Sequence, residues 1–406
     1  MEKSPLLRTL NRRSLDYARD DRMIARDDRM IARDDRMIAR DDKMVARDDK
    51  MFARDDRMFA RDDRIVALNA KRVNGYDIIS IEDGFMDIKE YIIESSKKLN
   101  IDMIGFTNCE PLISLKEYLE HRMGNNISTE FEERDIDKRI DPKLTMPSCK
   151  SIIVIALSYN VEYNEKSDFE FKGSLSKSSW GTDYHRVIKI RIEALIEEIK
   201  KVTNFEYQYF VDTGPLIDRE LAKKAGIGYY GKNCSIINED YGSFIFIGYI
   251  LTDIELDIEN KEMESQCGDC QLCIRACPTN ALEKPYGLNP KRCISYLTQT
   301  KNEVDIDLRK KMGIKIYGCD TCQMVCSKNK GVNKSEHEEF IPKLTKGAID
   351  IRELMTMSNR EFKEKYGSMA GSWRGKKILR RNAINVLKNI RNKDNEHLIN
   401  ELLKSE

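Results

Sequence analysis

The stretch CGDCQLCIRACP at 267–278 sets Cys267, Cys270, Cys273 and Cys277 three, three and four residues apart, with Pro278 directly after the last. Three thiolates at that spacing can wrap one iron–sulfur cubane, and the fourth points away to ligate a neighbour. A second set follows, Cys293 and then Cys319, Cys322 and Cys326, so that eight of the eleven cysteines fall in one region. Read as the last members of a repeat of the first run, the final three call for a cysteine at 316, where the chain carries Ile316. Cys293 supplies the missing thiolate most economically. The predicted ligand sets are Cys267, Cys270, Cys273 and Cys326 for one 4Fe–4S cluster, and Cys277, Cys293, Cys319 and Cys322 for the other. Zinc sites also use CxxC pairs, but with a longer insert between pairs and four ligands on one tetrahedron, a pattern this run does not fit. A disulfide framework suits neither the chain length nor the lack of an export signal.

A chain of 406 residues can bury a large core and is expected to hold two or three domains. The formal charge of +1 says little about partners. No apolar run reaches the roughly 18 residues a membrane span requires. The opening MEKSPLLRTLNRRS is basic but lacks the apolar segment of a secretory signal. A cytoplasmic protein is expected, a setting that suits oxygen-sensitive clusters and leaves Cys109, Cys149 and Cys234 as free thiols.

Residues 18–66 are seven tandem copies of a heptad of the type ARDDRMI. The apolar positions are consecutive, as in Met23, Ile24 and Ala25, which spreads them over a wide arc instead of a coiled-coil seam. Arg22 and Arg26 set like charges at i and i+4, which opposes a helix. The array reads as a low-complexity extension covering 1–77 and inessential to chemistry. From 78 the texture changes to alternating helices and strands. The apolar faces predict helices at 88–99, 185–202 and 218–225, and the apolar runs predict strands at 151–159, 205–211 and 243–252. This gives an α/β or α+β domain over 78–258. The cysteine segment occupies 259–335 and a helical, basic segment 336–406. Between 371 and 393 the charged residues are Arg374, Lys376, Lys377, Arg380, Arg381, Lys388, Arg391 and Lys393, with no acid among them. Such a run is either a solvated helix face or a surface for phosphate backbone.

Clusters alone relay electrons, so another cofactor or a partner must receive them. The chain has no CxxCH for haem and no GxGxxG opening a helix after a strand. The best candidate site is VDTGPLIDRELAKKAGIGYYGKN at 211–233, where Asp212 ends a strand before a Gly-Pro turn. Open α/β sheets present catalytic groups at such strand ends. A lone Asp there is more often a turn or helix cap.

At these residues the chain resembles the epoxyqueuosine reductases, cobalamin-dependent iron–sulfur enzymes of tRNA modification. The resemblance rests on KRIDP at 138–142, DYH at 183–185, VDTGP at 211–215, GKN at 231–233, ACPTNAL at 276–282, RCISYLT at 292–298, YGCDTCQMVC at 317–326 and ILRRNAINVL at 378–387. Two features depart from the family pattern: the heptad extension, and Ser327 and Lys328 where a proline and an aromatic usually precede Asn329. The implied fold is α+β, with an α/β cobalamin-binding domain, a ferredoxin-like double 4Fe–4S domain and C-terminal HEAT-like helices. The resemblance further implies Asp212 as proton donor, its pKa raised by desolvation beside a corrin that has no protein axial histidine. It implies Arg139, Asp183, Tyr184, His185, Lys232, Asn233, Ser295 and Asp320 as cobalamin surroundings. Arg374, Lys376, Lys377, Arg380 and Arg381 become the expected grip on tRNA. A flavodoxin or ferredoxin system would supply electrons to a monomeric enzyme with no membrane association. Two other readings compete. A reductive dehalogenase-like enzyme would commonly carry a twin-arginine signal, and the Arg12 and Arg13 pair lacks its apolar segment. A ferredoxin-type carrier leaves the large α/β segment without a purpose.

Overall fold

The computed structural model describes residues 71–73, 76–81, 84–258 and 262–404, with side chains from Met86 onward. The heptad array at 18–66 lies outside the described residues. Contacts along the chain separate 1–66 from a second compact unit, 67–406, which contains everything below.

Strands β1 (Lys71–Val73), β2 (Tyr76–Ile81) and β3 (Gly84–Asp87) form an antiparallel meander leading into helix α1 (Ile88–Lys98), capped by the Asp87 carboxylate. Next come β4 (Met103–Asn108), α2 (Lys116–Gly124), α3 (Ile136–Ile140), α4 (Pro142–Thr145), β5 (Ser151–Ser158) and β6 (Lys172–Leu175). They are followed by α5 (Tyr184–Lys200), β7 (Tyr207–Val211), α6 (Asp218–Lys224), β8 (Tyr229–Tyr230), β9 (Ile236–Ile237) and β10 (Ile245–Thr252). The cysteine segment is built from short pieces: α7 (Leu272–Ala276), β11 (Leu282–Lys284), β12 (Gly287–Leu288), α8 (Ile294–Leu297), α9 (Ile306–Met312), β13 (Lys315–Tyr317) and α10 (Thr321–Met324). The chain ends through β14 (Ala348–Asp350), α11 (Ile351–Thr356), α12 (Asn359–Tyr366), α13 (Gly375–Ile390) and α14 (Glu396–Lys404).

The central sheet has the order β4-β5-β10-β7, and every pair in it is antiparallel. Strand β5 is buried at all eight positions because both faces of the sheet are covered. Successive side chains alternate between faces. Ile153, Ile155 and Leu157 meet Ile88 and Ile92 of α1 and Val187, Ile188, Ile192 and Leu195 of α5. Ile152, Val154 and Ala156 meet Leu221 and Ala222 of α6 and Ile140 of α3. A β-carbon on Gly248 would lie 2.7 Å from the Ile188 side chain, so glycine in β10 lets α5 sit close. Helices interleave with strands in the sequence as expected, but the sheet is antiparallel. Asp212 therefore ends an edge strand of an α+β layer, not a parallel crossover unit.

A third core crosses the expected boundaries at 258 and 335. Strand β6 pairs in parallel with β13 and antiparallel with β14, so one small sheet draws a strand from each of the three expected segments. Leu175, Ile316 and Ile349 from those strands pack with Leu354, Phe362, Leu379, Val386 and Leu387 of the C-terminal helices. The expectation of three free thiols is also corrected. Cys109 and Cys149 are joined as a disulfide, with Cα atoms 6.1 Å apart. Register explains their proximity: Asn108 of β4 faces Ser151 of β5, and the two cysteines flank that end. Cys234 remains free. No helix among the described residues is long and apolar enough to cross a membrane.

Candidate active site

Within each expected set the cysteines lie near one another. Cys267, Cys270, Cys273 and Cys326 line one small, partly open cavity together with Lys232, Asn233 and Lys328. Burial, and then the neighbouring thiols of Cys267 and Cys270, push the Cys326 thiol up. In the second group burial raises Cys293 to about 11, with Cys319 and Cys277 adding to the effect. Cys322 is raised in the same way, by burial and then by Cys293 and Cys319. Crowded thiols resist ionisation until a positively charged centre shares them. Cys277 goes the other way: against burial, backbone amides hold its thiol below the ordinary value, among them the Ala281 N–H 3.2 Å from Sγ. No three His, Cys, Asp or Glu side chains among the described residues close on a single ion. A cubane instead takes one thiolate at each iron corner.

Asp212 follows directly on β7 with φ +58°, a left-handed conformation that Asp and Asn accept more readily than other non-glycine residues. The turn has no room to spare, since a β-carbon on Gly214 would lie 2.1 Å from the buried Tyr249 hydroxyl. Tyr184 donates its hydroxyl to Asp212 Oδ2 at 2.6 Å. His185 Nε2 lies 3.7 Å from the same oxygen, and its Nδ1 is 2.8 Å from Asp183 Oδ1. These side chains are placed by the first turn of α5, where Asp183 also caps the His185 amide. Tyr184 is held flat between His185 and Phe246, each ring centroid 4.1 Å away. Burial and then Asp212 raise the Tyr184 hydroxyl well above its usual range, so it stays a donor. Burial would lower His185, but the carboxylates of Asp183 and Asp212 outweigh it and favour the imidazolium.

One group that the sequence did not single out completes this centre. Asp218, half-buried in the first turn of α6, is pushed up to about 7 by burial and then by Asp212. Asp218 therefore stands in the electrostatic field of Asp212, at the start of the helix that follows the turn. The sequence shows Asp218 only as an acid near a helix start, which reads as an ordinary dipole partner. The desolvation expected at Asp212 itself is not supplied by the protein, because its side chain is 64% exposed.

The other expected residues divide between sites. Asp183, Tyr184 and His185 stand at the acid. Lys232 and Asn233 line the cavity of the first cysteine group, and the buried Asn233 Nδ2 has no hydrogen-bond partner there. Ser295 lies two residues after Cys293, in the short helix α8 beside the second cysteine group. Asp320 accepts the Lys177 amide at 2.8 Å and is raised to about 6 by burial. Arg139 is paired with Glu132 at 3.0 Å. The basic helix α13 turns several of its charges inward. Arg381 donates to the carbonyls of Leu297, Thr300 and Asn302, and Arg374 to that of Gln299. Lys376 bonds the Met357 carbonyl, Arg380 is half-buried and Lys377 is exposed.

The family model for epoxyqueuosine reductase QueG matches residues 139–213, and that for a 4Fe–4S double cluster binding domain matches 266–329. Epoxyqueuosine reductase of Bacillus cereus is 44% identical over 309 residues, covering 75% of this chain and 80% of the relative. That of Bacillus subtilis is 42% identical over 304 residues, covering 74% and 78%. A crystal structure of epoxyqueuosine reductase with an epoxyqueuosine-modified tRNA-Tyr stem loop superposes with a TM-score of 0.72 at 41% identity, covering 74% of this chain and 81% of that one. A Bacillus subtilis structure whose catalytic aspartate loop is swung out of the active site has a TM-score of 0.70 at 40% identity, over 74% and 81%. With two four-cysteine groups packed in one unit with a hydrogen-bonded acid, and relatives of this identity and coverage, the chain belongs to the epoxyqueuosine reductase family.

Proposed function

We propose that this chain reduces epoxyqueuosine to queuosine at the wobble position of tRNA, with Asp212 as the proton donor. The observation that carries the reading is the Asp183, His185, Tyr184 and Asp212 network in the same compact unit as two four-cysteine groups. Opening the epoxide to an alkene consumes two electrons and two protons and releases the oxygen as water. Asp212 delivers a proton to the departing oxygen. His185, kept cationic by Asp183, stands ready to restore that proton, and Tyr184 orients the carboxyl for the transfer. The eight cysteines hold two 4Fe–4S clusters that relay single electrons from a flavodoxin-like or ferredoxin-like donor.

Cobalamin fits these residues. The carboxyl of Asp212 opens outward, available to a bound group. Both ring nitrogens of His185 face carboxylates, so it offers no free axial ligand. Tyr184, His185 and Asp212 would border the corrin, which supplies the strongly reducing centre for carbon–oxygen cleavage when bound. Its arrival would also exclude water from Asp212 and provide the desolvation that the protein alone lacks. We assign cofactor and acid to 78–258, the clusters to 259–335, and HEAT-like helices to 336–406, with the whole acting in the cytoplasm where tRNA is modified. Anaerobic reconstitution with iron, sulfide and cobalamin, followed by nucleoside analysis of epoxyqueuosine tRNA, tests the reading. The expected result is about eight irons per chain and queuosine as product. Full cluster and corrin loading with no queuosine would overturn it.

A further inference from the structure

Phe131 and Trp373 are large aromatic side chains left 42% and 53% exposed, although they come from segments more than 200 residues apart and touch each other. Their rings meet edge to face with centroids 5.7 Å apart, and Tyr296 adds a third ring 5.6 Å from Phe131. The Arg374 guanidinium lies 4.7 Å from the Phe131 centroid and 4.3 Å from that of Trp373. This group is braced from behind. Arg374 donates to the Gln299 carbonyl, and Tyr296 and Thr300 both donate to Glu130 at 2.8 Å. The Trp373 indole N–H is 3.0 Å from both Gln299 Oε1 and the Tyr317 hydroxyl. The segment that carries Trp373 is tied to the acid centre, since the Asp183 backbone N–H donates to the Ser368 carbonyl at 2.7 Å, five residues before the tryptophan.

We propose that Phe131 and Trp373 form a stacking ledge for a nucleobase next to the modified nucleoside in the anticodon loop. This deepens the tRNA reading above and rests on it. Two pre-ordered rings meeting at an angle give a base one face to stack on and one edge to abut. Stacking of a base on an aromatic side chain needs no particular sequence, because every base has a π face. The cation held against both rings favours a polyanion, and the exposed Lys377 lies four residues beyond Trp373. An isolated two-ring surface is too small for a protein partner, whose stable interfaces bury about 800 Å² on each side.

The test uses the reconstituted full chain with cobalamin. Trp373→Leu and Phe131→Leu are each expected to raise the Kd of an anticodon stem-loop about 5- to 100-fold, with Trp373→Phe close to wild type. Corrin content after gel filtration is expected to stay at the wild-type level. The chain has two tryptophans, so a Trp180→Phe background leaves Trp373 as sole reporter, and its fluorescence should quench as stem-loop is added. Unchanged stem-loop affinity in both leucine variants overturns the ledge. Loss of corrin with RNA affinity intact also overturns it, by assigning the rings to the cofactor. A wild type that binds stem-loop but forms no queuosine defeats the functional reading, whereas full turnover with unaffected leucine variants defeats only the ledge.

Discussion

Asp212 takes a left-handed backbone conformation that costs a non-glycine residue about 1 kcal/mol or more. Asn adopts the same conformation, so Asp212→Asn should keep the turn and remove only the acid. Turnover is expected to fall about 10²- to 10⁴-fold with cofactor loading unchanged; near-normal turnover would remove Asp212 as donor. Asp218 makes a separate, pH-dependent contribution. Its folded-state value near 7 lies above the usual carboxylate range because burial and Asp212 disfavour its charge. A carboxyl raised in the fold supports stability below its ordinary value, about 4, and loses that support as pH climbs through about 7. Asp218→Asn should flatten this decline. The apparent Tm of wild type should drop relative to the variant by several degrees between pH 5 and pH 8, and parallel curves would show that Asp218 carries no such burden.

At the scale of elements, what the sequence revealed and what it hid follow from the same physics. The apolar runs that became β5 and β10, and the helical faces of α1 and α5, were legible because burial imposes a period on side chains. The cysteine spacing was legible because cluster geometry imposes one too. Direction was not legible. Charges on α13 look identical in sequence whether they face solvent or a neighbouring carbonyl, and three residues at a helix start do not reveal that Tyr184 and His185, with Asp183 behind them, converge on Asp212. Strands β6, β13 and β14 were missed because each is only three or four residues long and pairs with partners distant in sequence. Helix α13 can now be divided by role. Asn382 is fully buried and donates to the carbonyls of Thr298 and Ile316, which anchors the helix to the cluster segment. Asn382→Ala should destabilise the protein by about 1–3 kcal/mol for each carbonyl left without a partner. Lys377→Glu, on the exposed side, should leave stability unchanged while weakening stem-loop binding and lowering the salt slope by about one. Chemical denaturation and binding titrations at several salt concentrations check both, and an equal stability loss in the two variants would reject this division.

For the whole molecule, the sheet shared by β6, β13 and β14 has a consequence that a chain of separable domains would not have. Ile316 is fully buried against Leu354 and the helices beyond, and it lies three residues before the proposed ligand Cys319. The helical segment therefore forms part of the floor under the second cysteine group. A chain ending at residue 335 would expose Leu175 and Ile316 and strip β6 of its antiparallel partner. It should retain less than half the iron of the full chain and aggregate on reconstitution. A chain beginning at residue 67 loses residues 1–17 and the heptad array, which belong to a different unit. The aligned span with the Bacillus cereus reductase, 75% of the chain, can be met without that array. This shorter chain should load both clusters and turn over tRNA at the wild-type rate. Iron content and queuosine formation measured on the two truncations decide the matter. A stable, fully loaded 1–335 fragment would mean that the shared sheet is dispensable, and an inactive 67–406 would give the heptads a role in catalysis.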